Sequence, residues 1–174
     1  TAEVTSVTPA IAFLGMETEF TIAGPGLASG VAADRVLFTT SSCEEGVVAT
    51  KTVENGVVAM TFSQAVETMR MCVSFSNGAF RLVTPTVSVY GVSAIAPTSA
   101  VVGKPTTVTF SGVGIADGDN VAFVAAGDEC SAAVASGVVE SSSVTVVLSG
   151  VSETMEVCYA FQQSSVGMVK QPVT

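Results

Sequence analysis

Apolar and polar residues alternate along most of this chain with a period of two. The clearest run is Glu67-Thr68-Met69-Arg70-Met71-Cys72-Val73-Ser74-Phe75, which returns as Glu153-Thr154-Met155-Glu156-Val157-Cys158-Tyr159-Ala160-Phe161. Side chains on a β-strand point alternately to its two faces, so each run predicts a strand with one face in a core. Upstream, Thr1 to Val7 alternates and stops at Pro9, which predicts an edge strand ended by the missing proline N–H. Ala10 to Leu14 is a short apolar run closed by Gly15. Glu19-Phe20-Thr21-Ile22 leads into Gly24-Pro25-Gly26-Leu27, a turn composition. Val36-Leu37-Phe38 is a strand leading to Cys43. Val47 to Val53 and Val57 to Phe62 flank Glu54-Asn55-Gly56, and Asn-Gly predicts a hairpin. Asn77-Gly78 predicts a further turn, and Phe80 to Val89 a last strand in which Pro85 marks a bulge or an edge.

The same order of elements then repeats. Ser93-Ala94-Ile95-Ala96-Pro97 answers Ser6 to Pro9, Gly103 answers Gly15, and Thr107 to Ile115 answers Glu19 to Leu27. Val121-Ala122-Phe123 leads to Cys130, and Val144 to Leu148 matches Val58 to Phe62. No stretch sustains a helical period, and β-branched residues are abundant. The expectation is an all-β chain of two tandem β-sandwiches of about seven strands each, residues 1–88 and 89–174. The join from Thr86 to Ser93 has no Gly/Ser linker and reads as continuous strand, a stiff connection. Matching Pro9 to Pro97 and Cys72 to Cys158 fits two whole periods and puts Val173 and Thr174 level with Val87 and Ser88. Such a chain could tile head to tail, Thr174 leading into another Thr1-like strand. The alternative is a trimmed two-domain fragment.

Composition narrows the role. The chain of 174 residues is 48% hydrophobic but 12% charged, with a net charge of -9. Its six basic residues stand singly, so no basic patch exists to neutralise phosphates, and nucleic acid and anionic membrane surfaces are disfavoured as partners. Apolar runs stop well short of the roughly 20 residues a membrane helix needs, so direct membrane insertion is not expected.

The four cysteines fall two per repeat. An even count at matching positions reads as two disulfides, Cys43 to Cys72 and Cys130 to Cys158, one inside each domain. That implies an oxidising compartment, hence a secreted or cell-surface protein. Four buried free thiols are the alternative; zinc is disfavoured, with no C-x-x-C pair and no histidine.

The opening of each repeat resembles IPT/TIG-type immunoglobulin-like domains. Val4, Val7, Pro9, Gly15, Phe20, Ile22, Gly24 and Gly26 carry the pattern, and again Val92, Ile95, Pro97, Gly103, Val108, Phe110, Gly112 and Gly114. It covers about the first third of each repeat. The chain has no tryptophan, so the buried Trp of antibody-type domains is absent and the cysteine pair need not be their inter-sheet bridge. The resemblance implies an extracellular module that binds proteins or spaces other modules.

Little in the sequence suggests catalysis. Without histidine the usual nucleophile–base arrangements are missing, and Lys51, Lys104 and Lys170 have no supporting Ser-Lys motif. Glu44-Glu45 and Asp128-Glu129 are paired carboxylates, read as solvated turns before glycosidase-like acid and base. Asp117-Gly118-Asp119-Asn120 is the best calcium candidate, though a plain turn is favoured and the counterpart Ser29-Gly30-Val31 lacks the acids. No catalytic residue, cofactor site or metal site is expected. Ser141-Ser142-Ser143 and Thr39-Thr40-Ser41-Ser42 are expected on outward strand positions; no Asn-x-Ser/Thr sequon exists, so any glycan would be O-linked. Met69, Met71 and Met155 are expected in core packing or an inter-domain contact. The leading functional expectation is a building block of an extracellular fibre, stalk or rod, whose partners are further copies of itself. The alternative is a discrete adhesion module that recognises a protein or glycan through its loops.

Overall fold

The computed structural model describes residues 2–27, 34–76 and 78–173. The chain divides into two compact units, Thr1–Val89 and Tyr90–Thr174. Unit 1 contains β1 (Ser6–Thr8), β2 (Ile11–Phe13), β3 (Glu17–Ala23), β4 (Arg35–Thr39), β5 (Val47–Thr52), β6 (Val57–Thr61), β7 (Val66–Ser74) and the first part of β8 (Arg81–Ala96). One sheet has the order β1-β3-β6; the other runs β5-β4-β7-β8, with β2 also paired to β8. The first strand thus starts in one sheet and, past Pro9, crosses to the other. Antiparallel sheets so ordered make an immunoglobulin-like sandwich.

Unit 2 is built on the same plan from the rest of β8, then β9 (Pro105–Val113), β10 (Asn120–Ala125), a 3-10 turn (Cys130–Ala132), β11 (Ala135–Val138), β12 (Ser143–Val147), β13 (Met155–Ala160) and β14 (Val169–Gln171). β8, β9 and β12 form one sheet, and β11-β10-β13-β14 the other. Ile95 pairs with Phe110 as Val7 pairs with Ile22, so the later part of β8 plays the role of β1. Among the described residues, no helix is long and apolar enough to cross a membrane.

Several local expectations are corrected by the pairing. The alternation from Thr1 yields a strand only at Ser6–Thr8, which is indeed an edge. Asn55 and Gly56 do form a tight turn, with φ of 53° and 78° and reciprocal hydrogen bonds between Glu54 and Val57 at 2.9 Å. The flanking strands do not form a hairpin, however, because β5 pairs with β4 and β6 with β3. The turn carries the chain from one sheet to the other, since Val58 and Met60 have their partners on β3. Pro85 lies within a register shift of the β7–β8 ladder, between Leu82 opposite Cys72 and Thr86 opposite Arg70. In unit 2 the β13–β14 ladder runs from Tyr159 opposite Val169 to Val157 opposite Gln171 without the shift that Pro85 occupies in unit 1, and past it Val173 N–H donates back to Gln171 O at 2.9 Å. Ser29-Gly30-Val31, Asn77, Thr1 and Thr174 lie outside the described residues.

The core of unit 1 gathers Phe20, Phe38 and Phe62, with ring centroids 5.5–6.1 Å apart, and the buried Met60, Met69 and Met71. Met69 and Met71 are therefore core residues. In unit 2 Phe110 contacts Tyr159 at 5.6 Å, Tyr159 contacts Phe161 at 4.7 Å, and Phe161 contacts Tyr90 at 5.9 Å.

Candidate functional site

Each unit carries one disulfide, Cys43–Cys72 and Cys130–Cys158, both with Cα atoms 5.7 Å apart. Met71 and Val73 point into the core, so Cys72 between them points to the outer face of its sheet, where it pairs across to Leu37. Cys43 lies in the β4–β5 connection, and the bridge folds that loop onto the sheet. In unit 2, Cys158 packs with Ala122 and Val124 in a small cluster of its own, against Cys130. Neither bridge joins the two sheets. Glu156, beside Cys158, receives the Lys170 ammonium at 2.7 Å and the Gly127 N–H at 3.3 Å. The lysine, then the backbone N–H, holds its carboxyl below the usual carboxylate range.

The adjacent carboxylates are exposed loop residues. Glu45 N–H donates to Ser42 Oγ at 3.1 Å and its carbonyl accepts from Thr39 Oγ1 at 2.6 Å, which is turn geometry; Asp128 and Glu129 are likewise exposed. Thr39, expected to face outward, is buried, its hydroxyl satisfied by that hydrogen bond. Thr40, Ser41 and Ser42 are exposed. Ser141 and Ser142 are not on a strand at all. They occupy the same turn as Asn55-Gly56, with φ of 50° and 59°, and Phe110 N–H donates to Ser142 O as Ile22 N–H donates to Gly56 O.

The calcium candidate separates into two structural roles. Asp117 Oδ1 accepts from Ser141 N–H at 2.7 Å, which ties down the strained serine turn. Asp119 is buried, and its oxygens accept from Ala116 N–H, Gln162 N–H and the Tyr159 hydroxyl, each at 2.8 Å. Burial, and then this bond to Asp119, pushes the Tyr159 hydroxyl far above its ordinary value. The counterpart of Asp119 is Asp34, also buried, which accepts from Ser76 N–H at 2.9 Å. The sequence does carry a signal for this pair, the repeated Asp-x-Val of Asp34-Arg35-Val36 and Asp119-Asn120-Val121, which an alignment of residues 117–120 to Ser29-Gly30-Val31 hides. A carboxylate fully engaged by N–H and O–H donors fastens a loop to the end of its strand.

The other end of unit 2 is open. A cavity of about 240 Å³ lies between its sheets, lined by Ile95, Val108 and Leu148 on one side and Phe123, Met155 and Val157 on the other. Met155, expected in a core or at a contact between domains, is half-buried on this wall. The mark of the cavity in the sequence is that Val108 and Leu148 stand where unit 1 has Phe20 and Phe62.

No protein-family model and no curated protein sequence matches the chain. Among solved structures it is similar to the human OSCAR ligand-binding domain, at 10% identity and a TM-score of 0.32, covering 99% of this chain and 95% of that one. It is also similar to murine CEACAM1b, at 9% identity and a TM-score of 0.29, covering all of both chains. The immunoglobulin-like description rests on the strand order and register above.

Proposed function

We propose that the chain is a non-catalytic structural module of a secreted or cell-surface protein, a building block for an extracellular fibre, stalk or rod. The observation that carries this is the recurrence of a disulfide-stapled sandwich of the same strand plan in each half of the chain. Paired disulfides suit an oxidising compartment. Repeats joined without a Gly/Ser linker suit serial extension. Domain limits near 88 and 89, and an IPT/TIG-type ancestry, are the finer parts of this reading. Its support is the motif glycines: a Cβ on Gly24 would collide with the Glu3 carbonyl, and one on Gly112 with the Gly91 carbonyl. Exposed hydroxyls such as Thr40, Ser41 and Ser42 are the places for O-linked sugar. The test is electron microscopy with intact mass on natively purified, non-reduced material. Rods with a regular axial repeat and a mass well above 17.5 kDa support the reading. Discrete particles of the chain's own mass overturn it in favour of a free-standing binding module.

A further inference from the structure

Both disulfides lie on a surface that an antiparallel sandwich ordinarily gives to water. On β4, Val36 and Phe38 belong to the core, so Leu37 and Thr39 point outward, on the same face as Cys72 of β7. On β10 and β13, Phe123 and Val157 line the space between the sheets, so Ala122, Val124 and Cys158 point outward. These six outward residues are nevertheless at most 5% exposed. Outward residues of the opposite sheets, such as Glu19 and Thr107, stand in solvent. Each unit therefore carries a small buried layer outside its sandwich, at the matching place in both copies.

The chain that reaches this layer from outside is, in each unit, the loop carrying the first cysteine. In unit 1, residues 40–46, Glu45 O accepts the Thr39 hydroxyl at 2.6 Å and Ser41 O accepts from Arg70 Nη1 at 3.3 Å. In unit 2, residues 126–134, Cys130 packs on the cluster of Ala122, Val124 and Cys158, while the 3-10 turn that it opens buries no residue. Other hydrogen bonds close turns within the loops: Ser42 N–H to Glu45 O at 3.2 Å, Asp128 N–H to Ala125 O at 3.0 Å and Ala132 N–H to Glu129 O at 2.9 Å. Such bonds shape a loop without fastening it to a sheet, so the S–S bond is the main tie. Its two sulfurs differ in access, since Cys43 and Cys130 are half-buried whereas Cys72 and Cys158 are fully buried. The core cluster of unit 1 contains neither of its cysteines.

We propose that each bridge is a thiol–disulfide exchange site whose reactant is a dithiol, and that exchange lifts the loop from its sheet while both sandwiches stay folded. The thiolate of the dithiol attacks Sγ of Cys43 or Cys130. The S–S bond breaks, and its electron pair leaves on Sγ of Cys72 or Cys158, which takes up a proton. The second thiol of the reactant then displaces Cys43 or Cys130, so the dithiol ends as a disulfide, oxidised by two electrons, and the bridge ends as two thiols. With the loop lifted, Leu37 in unit 1, and Ala122 and Val124 in unit 2, become an accessible apolar surface beside those thiols. Exchange of this kind is independent of whether the chain forms fibres.

The test treats the intact, oxidised chain with millimolar dithiothreitol in native buffer, counts thiols with N-ethylmaleimide, and follows amide hydrogen exchange residue by residue. The expected result is one maleimide on each of the four cysteines and about tenfold faster exchange at Ser42, Asp128 and Ala132, with the amides of β4, β7, β10 and β13 unchanged. Cys130→Ser with Cys158→Ser should show the fast exchange at Asp128 and Ala132 before any reductant is added, with the loop of unit 1 still responding when it is. Thiols that appear only when urea unfolds the chain overturn the proposal. So does loss of protection in the strands of either unit on reduction, or in those of unit 2 in the serine variant, which would make the bridges staples of the whole sandwich. Full labelling with loop exchange unchanged overturns it as well, because the loop would then stay on its sheet without the bond.

Discussion

Where unit 1 carries Phe20 and Phe62, unit 2 carries Val108 and Leu148; where unit 1 carries Ile22 and Val73, unit 2 carries Phe110 and Tyr159. The two sandwiches share a strand order and place their aromatic bulk at opposite ends. In unit 1 the bulk lies at the end closed by Val87 and Val89. In unit 2 it lies at the Asp119 end, and the opposite end is hollow. Topology is therefore indifferent to which end is thick, provided each sheet keeps one continuous apolar face.

The contrast can be broken most directly in the aromatic cluster of unit 1. Phe62→Ala should destabilise unit 1 by about 3–5 kcal/mol in urea unfolding, whereas Leu148→Ala should cost unit 2 about 2 kcal/mol, because its side chain already borders empty space. Equal losses would mean the hollow end is packed in solution. The disulfides should behave alike in spite of that asymmetry. Their separations are 29 and 28 residues, so replacing either pair by alanine should cost about 3–4 kcal/mol. A large inequality would show that one loop depends on its bridge for more than chain entropy.

Tyr159→Phe, which removes a hydroxyl bound to Asp119, should cost about 1 kcal/mol. It should also change the alkaline limb. A phenol whose folded pKa is raised contributes stability that is complete below its unfolded value of 10.0 and lost as pH rises above it. Unit 2 of the parent chain should thus weaken above pH 10 in an unfolding titration more steeply than the phenylalanine variant. Ser141→Asn with Ser142→Gly should stabilise unit 2 by about 1 kcal/mol by relieving two left-handed serines, and Asn55→Ser with Gly56→Ser should weaken unit 1 by a similar amount. No gain in unit 2 would mean that the Asp117 bond to the Ser141 N–H already offsets the strain. The smallest change is expected from Lys170→Gln. Glu156 has a lowered folded pKa, so its contribution is present above the ordinary carboxylate range and lost as pH falls; the variant should flatten that acid limb slightly, read from thermal midpoints between about pH 3 and 6.

How much of this fold is legible in the sequence depends on the range of each interaction. Strand alternation and the Asn55-Gly56 turn are local, and both can be read residue by residue. That β5 and β6 go to different sheets cannot, because a tight turn sets the chain's reversal but not the partner of the strand that leaves it. Ser141-Ser142 reads as strand surface since serine has no strong preference for positive φ, and the turn is held by partners remote in sequence, Asp117, 24 residues away, which accepts from Ser141 N–H, and Phe110, which donates to Ser142 O. Asp119 resembles a cation ligand because clustered acids are visible in sequence, while two of the three donors that satisfy it, Tyr159 and Gln162, come from the end of β13, 40 and 43 residues away.

By itself, the sequence determined the all-β class, the duplication and a common strand plan, because period-two burial, turn chemistry and matched motifs are written residue by residue. Tertiary structure alone decided which face the disulfides staple, what Asp119 holds, and where the second sandwich is left open. Those outcomes depend on which strands meet and on the summed volume of side chains from facing sheets, a quantity no single segment contains.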